Sequence, residues 1–531
     1  MHSPWWRQAV LYQLYPLSFA DSNSDGYGDL DGIIDHLDYL SWLGVGAVWL
    51  SPIYASPMAD FGYDISNFER VDPIFGDLPT FDRLLKAVHD RGMKLLLDFV
   101  PNHTSIEHAW FKSSRTSKVD PKRDWYIWAD PKPDGSPPNN WLSRFGGSAW
   151  ELDDKTGQYY MHSYLPEQAD LNWRNPEVQS VMLSVMRFWL ERGVDGFRTD
   201  AVYSLVKDEH LRDNPPNPDY KSGVDDPSDA FLRIHSAGQS ELFHILNTFC
   251  NVLATHPDRY LVSEPPLYIS LPGLEQLYDA CTTHPLHMPF NFNLMTLPWS
   301  AKSFRDFIDQ YESVLGSDDL PNYVLGNHDR SRLASRIGEH RARLLALLQL
   351  TLRGMPVIYY GDELGLQNGL VPRGQELDQW AKQVPGHHRD GARAPMPWTS
   401  GRYGGFSKHK PWQHMAANAE TANVETERVH PGSLLNLYQR LIKLRSELPA
   451  LLEGVYESLP HTSESIYAFT RTSEQQQLLI VLNFSDHPAH FKPIHQPQRL
   501  LVGTHARSGA ETLSHELAAY EGRVYLIKGE A

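Results

Sequence analysis

The sequence is 531 residues long, with 41% hydrophobic and 21% charged residues and a formal net charge of −17 at pH 7. A chain of this length and apolar content buries a large core and forms either several domains or one large domain with insertions. The acidic balance and the lack of basic runs argue against nucleic acid as the main partner.

The N-terminus MHSPWWRQAV has no basic segment followed by an apolar one, and nowhere do about 18 apolar residues run together. We therefore expect neither a signal peptide nor a membrane span, and a cytoplasmic protein. Cys250 and Cys281 are too few for a disulfide framework, so we expect them to be reduced and buried.

An oxygen-rich loop, DSNSDGYGDLDG at 21–32, follows the first predicted strand. Its candidate metal ligands, at EF-hand-like positions one, three, five, seven and nine, are Asp21, Asn23, Asp25, the carbonyl of Tyr27, and Asp29. An EF-hand needs a glutamate at position twelve, where this chain has Gly32. The spacing thus favours a structural Ca²⁺ or Mg²⁺ clip over a calcium sensor, with a solvated acidic turn as the remaining alternative. No organic cofactor is indicated.

Short β-rich runs alternate with longer helical ones along most of the chain. The predicted buried strands are 10–19, 46–54, 94–100, 194–202, 259–265, 322–329 and 355–363, with an eighth weakly marked near 278–287. Helix candidates between them include 80–92, 176–193 and 340–354, each ending in or near a glycine. This alternation predicts an α/β protein with a closed (β/α)₈ barrel.

Three stretches interrupt the alternation and define the predicted domains. Residues 104–170, rich in Trp, Pro, Asp and Gly, are too long for a plain loop and predict an inserted subdomain after the third strand. The barrel then comprises 1–103 and 171–449, with a long polar loop region at 366–432 after the eighth strand. After a helix at 433–448, apolar runs between turns predict a C-terminal all-β sandwich at 450–531.

Polar side chains cluster where the predicted strands end. They are Asp98, Asn102 and His103 after the third strand, Arg198 and Asp200 at the fourth, Glu264 at the fifth, and His328 and Asp329 at the seventh. Because all strand C-termini of a parallel barrel open on one face, we expect these groups to converge in one pocket.

The composition of this set selects among reactions. There is no G-x-S-x-G elbow for acyl transfer, and the histidines lack the H-x-H or H-E-x-x-H spacing of a metal hydrolase. Glycoside hydrolysis fits better, since it needs one ionised and one protonated carboxyl group flanking the bond that breaks. We expect Arg198 to keep Asp200 ionised and a drier wall to keep Glu264 protonated.

The segments DFVPNH (98–103), GFRTDA (196–201), SEP (263–265) and GNHD (326–329), in this order, resemble the four signature regions of the α-amylase family of glycoside hydrolases, family 13. QADLNW (168–173) and GMPVIYYGDELG (354–365) extend the match to about 500 residues. Within the family, FGYDISNF (61–68) and RDGARAPMPW (389–398) are similar to the α-glucosidase and oligo-1,6-glucosidase branch, where the loop after the first strand is a structural metal site.

The resemblance implies roles for the site residues. Asp200 would be the nucleophile, Glu264 the general acid and base, and Asp329 a third carboxylate that binds ring hydroxyls. Arg198 would orient Asp200, and His103 and His328 would bind sugar hydroxyls. Asp64 and Arg393 would grip the terminal glucose, which would rest on Tyr63 and Phe145, although a solvated turn is the alternative for Asp64 and Tyr63 alone. Such a grip implies an exo-acting enzyme for small α-glucosides.

The linkage and the fate of the glucosyl group stay open. Ala201, after the nucleophile position, resembles the α-1,4 group of the branch rather than the α-1,6 group, and Pro265-Pro266 departs from the family pattern on the acceptor side. The runner-up function is a glucosyltransferase or a sucrose- or trehalose-type isomerase, with alcohols or sugars as acceptors. A non-catalytic chain that accompanies a membrane transporter is a third alternative. The protein is expected to be a monomer or a homodimer.

Overall fold

A computed structural model describes residues 3–281, 283–316, 318–460, 463–492, 497–505 and 515–530. Within these residues, seven strands form one parallel sheet: Leu11–Leu14, Ala47–Leu50, Lys94–Phe99, Gly196–Thr199, Tyr260–Ser263, His287–Pro289 and Val357–Tyr359. The first strand pairs with both the second and the last. Residues 322–325 fill the remaining gap, because Val324 bridges Val357 in parallel and its N–H donates to the Asn291 carbonyl at 3.0 Å. The ring closes, which confirms the (β/α)₈ barrel.

The weakly marked strand near 278–287 was predicted in the wrong place. Leu274, Leu277 and Tyr278 lie on the buried face of a helix, Leu271–Asp279, and the strand begins only at His287.

The prediction of reduced cysteines is also wrong: a disulfide joins Cys250 and Cys281, with Cα atoms 6.2 Å apart. Both residues are buried as expected. The barrel brings the ends of two helices together, although the cysteines are 31 residues apart in sequence.

The predicted barrel helices occur within a few residues of their expected bounds. The described α-helices are Leu30–Asp35, Leu37–Leu43, Leu78–Asp90, Ala109–Ser114, Pro176–Glu191, Glu241–Leu253, Leu271–Asp279, Ala301–Val314, Leu333–Ile337, Glu339–Thr351, Trp380–Gln383, Val424–Arg428, Leu434–Glu447 and Pro449–Leu452. Side-chain oxygens of Asp77, Asn175 and Ser433 accept backbone N–H groups in the first turns and so fix where three of them begin. None of the described helices is long and apolar enough to cross a bilayer.

The first and last strands of the insertion after the third barrel strand lie side by side. Strand His103–Ser105 pairs antiparallel with Gln168–Asp170. Between them lie the helix Ala109–Ser114 and a three-stranded sheet of Trp128–Ala129, Gln158–Met161 and Trp150–Asp153. Trp141, Trp150 and Met161 form a small core of their own, which explains why a tryptophan-rich stretch lies outside the barrel rhythm.

The C-terminal region is all β, as predicted, and packs against the barrel. Its five-stranded antiparallel sheet contains Val455–Ser458, Ile466–Thr472, Gln477–Asn483, Gly522–Lys528 and Arg499–Gly503, and a separate pair joins Ala489–His490 to Glu516–Leu517. Alternate residues of its central strands face different cores: Tyr467 and Phe469 join the main core, whereas Ile466 and Ala468 join a smaller one. The predicted boundary at residue 450 stays a prediction.

Candidate active site

One cavity of about 200 Å³ lies at the carboxyl ends of the barrel strands. Most of the predicted site residues line it: Tyr63, His103, Phe145, Asp200, Glu264, His328 and Asp329. Pockets for drug-sized ligands measure roughly 300–1,000 Å³, so this space suits a small ring better than an extended chain. The strand-end residues thus converge as expected, and the two acidic groups Asp200 and Glu264 open into the same space.

Arg198 organises the carboxyl groups at the base of the cavity. Its Nη1 donates to Asp98 Oδ1 and to Asp200 Oδ1, each at 2.7 Å, and its Nη2 donates to Glu264 Oε2. Arg198 is fully buried on the fourth barrel strand, and Asp98 is its register partner on the third. A planar guanidinium holds several carboxylates in fixed orientations, so one side chain sets the geometry of both acidic groups.

Asp98 supports this arrangement from behind. It does not line the cavity, and its second oxygen accepts hydrogen bonds from Trp49 Nε1 at 3.1 Å and Tyr63 Oη at 3.0 Å. The carboxylate is therefore fully occupied by protein donors. Its contribution to the site is to hold Arg198 and Tyr63 in place.

The pKa values of the two acidic groups differ in the expected order. Burial raises the pKa of Glu264 to about 8, against the opposing charge of Arg198 and with help from Asp200 and Asp329. Burial also raises the pKa of Asp200 to about 6, again opposed by Arg198. At pH 7 Glu264 is protonated and Asp200 is mainly ionised, although the lowering of the Asp200 pKa by Arg198 does not outweigh the rise that burial causes.

Asp329 is held as a carboxylate by its neighbours. Burial acts to raise its pKa, but His328, Arg389 and Arg393 together lower it well below the ordinary value. Gln13 Nε2 donates to His328 Nδ1 at 2.7 Å, so the proton of the neutral ring sits on Nε2, which lies 3.3 Å from Asp329 Oδ2. Burial lowers the pKa of His328 to about 3, and the histidine is thus a neutral donor at pH 7.

An ion pair that the sequence did not identify lies at one wall of the cavity. Arg389 Nη2 donates to Asp60 Oδ1 at 2.6 Å, and both residues line the cavity. Asp378 holds the same guanidinium from the other side, with Nε to Oδ2 at 2.7 Å. Asp60 lies in the turn after the second barrel strand, and Arg389 lies in the long loop after the eighth. Two segments that are far apart in the sequence thus meet at this wall of the cavity.

The predicted pair of Asp64 and Arg393 is not formed at the cavity. Asp64 is fully buried and accepts N–H groups of Ala59 and Asp60, each at 2.9 Å, so it shapes the turn that presents Asp60. Arg393 lies beneath the site and donates to Asp329 Oδ1 at 3.2 Å and to the His328 carbonyl at 3.1 Å. Asp64 and Arg393 thus support the site without lining the cavity. The residues that face the cavity, Asp60 and Arg389, each lie four positions earlier in the sequence.

Tyr63, Phe145 and His103 all line the cavity, and their role in sugar binding stays a prediction. The Tyr63 ring stacks on His328 at 5.4 Å between centroids, and Phe145 lies beneath the Arg389 guanidinium at 4.6 Å. Burial lowers the pKa of His103 to about 4, so its ring is neutral, and its Nε2 lies 3.1 Å from the Tyr63 carbonyl.

Sequence reasoning missed several lining residues that lie outside the barrel strands. They are Asp60, Arg144, Tyr164, Gln168, Tyr203, Arg233, Trp380 and Arg389. Only Gln168 and Arg389 lie inside quoted motifs, at the first residues of QADLNW and RDGARAPMPW. The others stand in loops or short helices between or after the barrel strands, where the sequence has no periodic pattern and no residue type signals a direction.

The loop at 21–32 folds around its own oxygen atoms. The Asp21 carboxylate accepts the N–H groups of Ser24 at 2.6 Å and Gly26 at 2.8 Å, and Asn23 and Asp25 each accept an N–H two residues on. Asp29 accepts the Gly32 N–H and caps the helix Leu30–Asp35. In the described residues no group of three or more His, Cys, Asp or Glu side chains forms a metal cluster. Three of the five predicted ligands, Asp21, Asp25 and Asp29, are thus not gathered into such a group, although the oxygens of the loop keep further lone pairs that fit a hard cation.

Comparison with known proteins agrees with this architecture. A family model described as the alpha amylase catalytic domain matches residues 13–454. An oligo-1,6-glucosidase of Heyndrickxia coagulans is 36% identical over 99% of this chain and 99% of its own, and a probable alpha-glucosidase of Rhizobium meliloti is 40% identical over 91% and 90%. The crystal structure of an alpha-glucosyl transfer enzyme has a TM-score of 0.92 at 39% identity, and that of an isomaltulose synthase of Klebsiella sp. LX3 has 0.88 at 33%; each comparison covers 99% of this chain and 100% of the other.

The chain belongs to the alpha-amylase family of glycoside hydrolases. Within that family it is an enzyme of the branch that contains α-glucosidases and oligo-1,6-glucosidases.

Proposed function

We propose that the protein is an exo-acting, retaining α-glucosidase that releases or transfers single glucose units from the non-reducing end of short α-glucosides. The observation that carries this proposal is the contact of Arg198 with Asp200 and Glu264 at the base of a small cavity. The two carboxyl groups also lie close enough to shift each other's pKa, which favours the shorter separation of retaining enzymes over the roughly 6.5–9.5 Å of inverting enzymes.

In the first half-reaction, ionised Asp200 attacks the anomeric carbon while protonated Glu264 gives its proton to the leaving oxygen. Arg198 keeps the attacking oxygen in place and moderates the charge that forms on Glu264. In the second half-reaction, the Glu264 carboxylate takes a proton from water or an alcohol, which attacks the glucosyl ester of Asp200. Asp329, held ionised by Arg389 and Arg393, accepts hydrogen bonds from the ring hydroxyls.

The exo action follows from the Asp60–Arg389 pair, which faces the cavity, whereas Asp64 and Arg393 do not. A charged, hydrogen-bonding pair binds the hydroxyls of a terminal ring and leaves no room for a chain to continue past it. Tyr63 and Phe145 then supply the flat faces on which the ring rests.

A substrate with a blocked terminal ring tests the exo action. A p-nitrophenyl maltotrioside whose non-reducing glucose carries an acetal across O4 and O6 is expected to release no glucose, because the acetal collides with the Asp60–Arg389 wall. The unblocked trioside, the matched control, is expected to lose one glucose at a time by chromatography. Internal cleavage of the blocked compound would contradict the proposal.

The linkage is proposed to be α-1,4. Ala201 lines the cavity directly after Asp200, in a left-handed backbone conformation with φ of 47°, and one side chain there contributes only about 1–3 kcal/mol of discrimination. Glucosyl transfer and isomerisation stay the second candidate, because similar structures are an alpha-glucosyl transfer enzyme and an isomaltulose synthase. Product analysis on maltose, isomaltose, sucrose and trehalose, with and without an added alcohol, separates these functions.

The loop ligands Asp21, Asn23, Asp25, Tyr27 and Asp29 are proposed to hold a structural Ca²⁺ or Mg²⁺. Chelation is expected to lower the melting temperature while the chemistry persists at low temperature, because a cation that binds only the folded state stabilises it. Calorimetry with a chelator, and again after the metal is restored, measures this. Loss of turnover with an unchanged melting curve would place the metal in the reaction instead.

The cytoplasmic location stays a prediction. Disulfides such as Cys250–Cys281 are more typical of oxidising compartments. Cell fractionation decides between the cytoplasm and an oxidising compartment.

A further inference from the structure

Six arginines line or underlie the cavity, and three of them form no ion pair with the carboxyl groups that line it in the described part of the chain. In the described part of the chain, four carboxyl groups line it: Asp60, Asp200, Glu264 and Asp329. Arg198 pairs with Asp200 and Glu264. Arg389 pairs with Asp60, and Arg393 pairs with Asp329. Three further guanidinium groups line the same cavity, those of Arg144, Arg233 and Arg330.

Arg144 and Arg233 form one cluster with a single close carboxylate. Arg144 Nη1 lies 3.1 Å from Asp229 Oδ1, and Arg233 Nη2 donates to the Ser228 carbonyl at 3.3 Å. Arg233 Nε is buried and has no protein partner among the described residues. Burial, and then repulsion by Arg144, lowers the pKa of Arg233 to about 9, although Asp229 and Asp226 oppose the shift. The group is still a cation at pH 7.

Tyr164 connects this cluster to the reacting groups. Burial and the charges of Asp200 and Glu264 raise the pKa of Tyr164, whereas Arg144 lowers it. The phenol is therefore close enough to the two carboxyl groups and to Arg144 for their charges to act on it. Its hydroxyl lies near Ser204, which follows Asp200 closely in the chain and lines the cavity. The paired Asp60 and Arg389 already account for the terminal glucose, and the two arginines therefore face the part of the substrate beyond the scissile bond.

We propose that Arg144 and Arg233 form an anion-binding subsite for the leaving group and the acceptor, so that the enzyme prefers partners that carry a carboxylate or a phosphate. The inference rests on the proposed function and adds its substrate class. Guanidinium groups bind both kinds of anion through paired, charge-assisted hydrogen bonds.

The favoured transfer step is balanced without any further reactant. The acceptor hydroxyl oxygen attacks the anomeric carbon of the glucosyl ester, the bond from that carbon to the Asp200 oxygen breaks, and the hydroxyl proton passes to the Glu264 carboxylate. The anionic group of the acceptor stays unchanged and serves only to hold the acceptor against the two arginines.

Competition between matched acceptors tests the subsite. With p-nitrophenyl α-glucoside as donor, transfer to 4-hydroxybenzoate is compared with transfer to 4-hydroxybenzamide, and transfer to glucose 6-phosphate with transfer to glucose. Because one charge-assisted hydrogen bond contributes about 1.5–3 kcal/mol, the parent is expected to favour the anionic member by about tenfold or more. Arg233→Gln is expected to remove most of that preference, and Arg233→Lys to restore part of it.

Arg212→Gln is the control, because Arg212 lies on the same segment, pairs with Asp208 and does not line the cavity. It is expected to keep the parent ratio. Preference in the first pair alone identifies a carboxylate subsite, and in the second pair alone a phosphate subsite; either supports the inference. Equal rates within both pairs, or an equal change in Arg212→Gln, would overturn it. Release of p-nitrophenol without acceptor is measured in parallel: its absence would refute the proposed function, whereas release without preference refutes only the subsite.

Discussion

Replacement of Asp200 with asparagine is expected to lower kcat by on the order of 10⁴-fold, or about 5.5 kcal/mol of transition-state stabilisation. The amide has the shape of the carboxylate but no anionic oxygen to form the ester. Arg198 keeps its bonds to Asp98 and Glu264, so the base of the cavity is expected to persist. Hydrolysis of p-nitrophenyl α-glucoside and thermal unfolding measure the two effects separately.

The nucleophile assignment has a stereochemical test that does not depend on the size of the rate loss. In Asp200→Gly, azide is expected to enter the vacated space and attack from the face that Asp200 occupied, giving β-glucosyl azide. Asp82→Asn is the control, because Asp82 is an exposed partner of Arg192 outside the cavity. Near-parental turnover by Asp200→Asn would remove the assignment.

The parts of the site that could be predicted are those fixed by strand register. Asp98 and Arg198 are register partners on neighbouring strands, and Asp200 follows the same strand by one residue. A parallel barrel brings such positions to one rim whatever the loops do. Both the reacting groups and Arg198 could therefore be named from sequence.

The parts that could not be predicted depend on loops and on distant pairs. Asp60 and Asp64 stand four residues apart, and so do Arg389 and Arg393; the motif does not say which member faces the cavity. The backbone of 59–64 decides it, because Asp64 is used to accept N–H groups within its own turn. A local pattern likewise contains no information that the helices ending near Cys250 and Cys281 are neighbours in the ring.

Arg198 also shows why the charge states were only partly predictable. Its spacing from Asp200 suggested one ion pair, but the guanidinium is shared among Asp98, Asp200 and Glu264. Because this one positive charge is shared among three carboxyl groups, it does not offset the rise in the pKa of Asp200 that burial causes. The order of the two pKa values follows from the pattern, whereas their size follows from burial that only the structure gives.

Replacement of Glu264 with glutamine is expected to stall the enzyme after its first step. With α-glucosyl fluoride, whose leaving group needs no proton, the glucosyl ester of Asp200 forms, but no base remains to activate water. Intact-protein mass spectrometry should then detect one added glucosyl residue. Azide, which needs no base, is expected to release α-glucosyl azide, the opposite anomer to that expected from Asp200→Gly.

The pH profile gives an independent measure of the same residue. In the parent enzyme, kcat/KM for a glucoside with a poor leaving group should fall above about pH 8, as Glu264 loses its proton, and below about pH 6, as Asp200 gains one. Glu264→Gln assayed with the fluoride should lack the alkaline limb, because the amide has no proton to lose there. Inversion of the anomeric centre by the parent enzyme, seen by NMR of the first-formed glucose, would contradict both results, since a covalent ester requires two displacements.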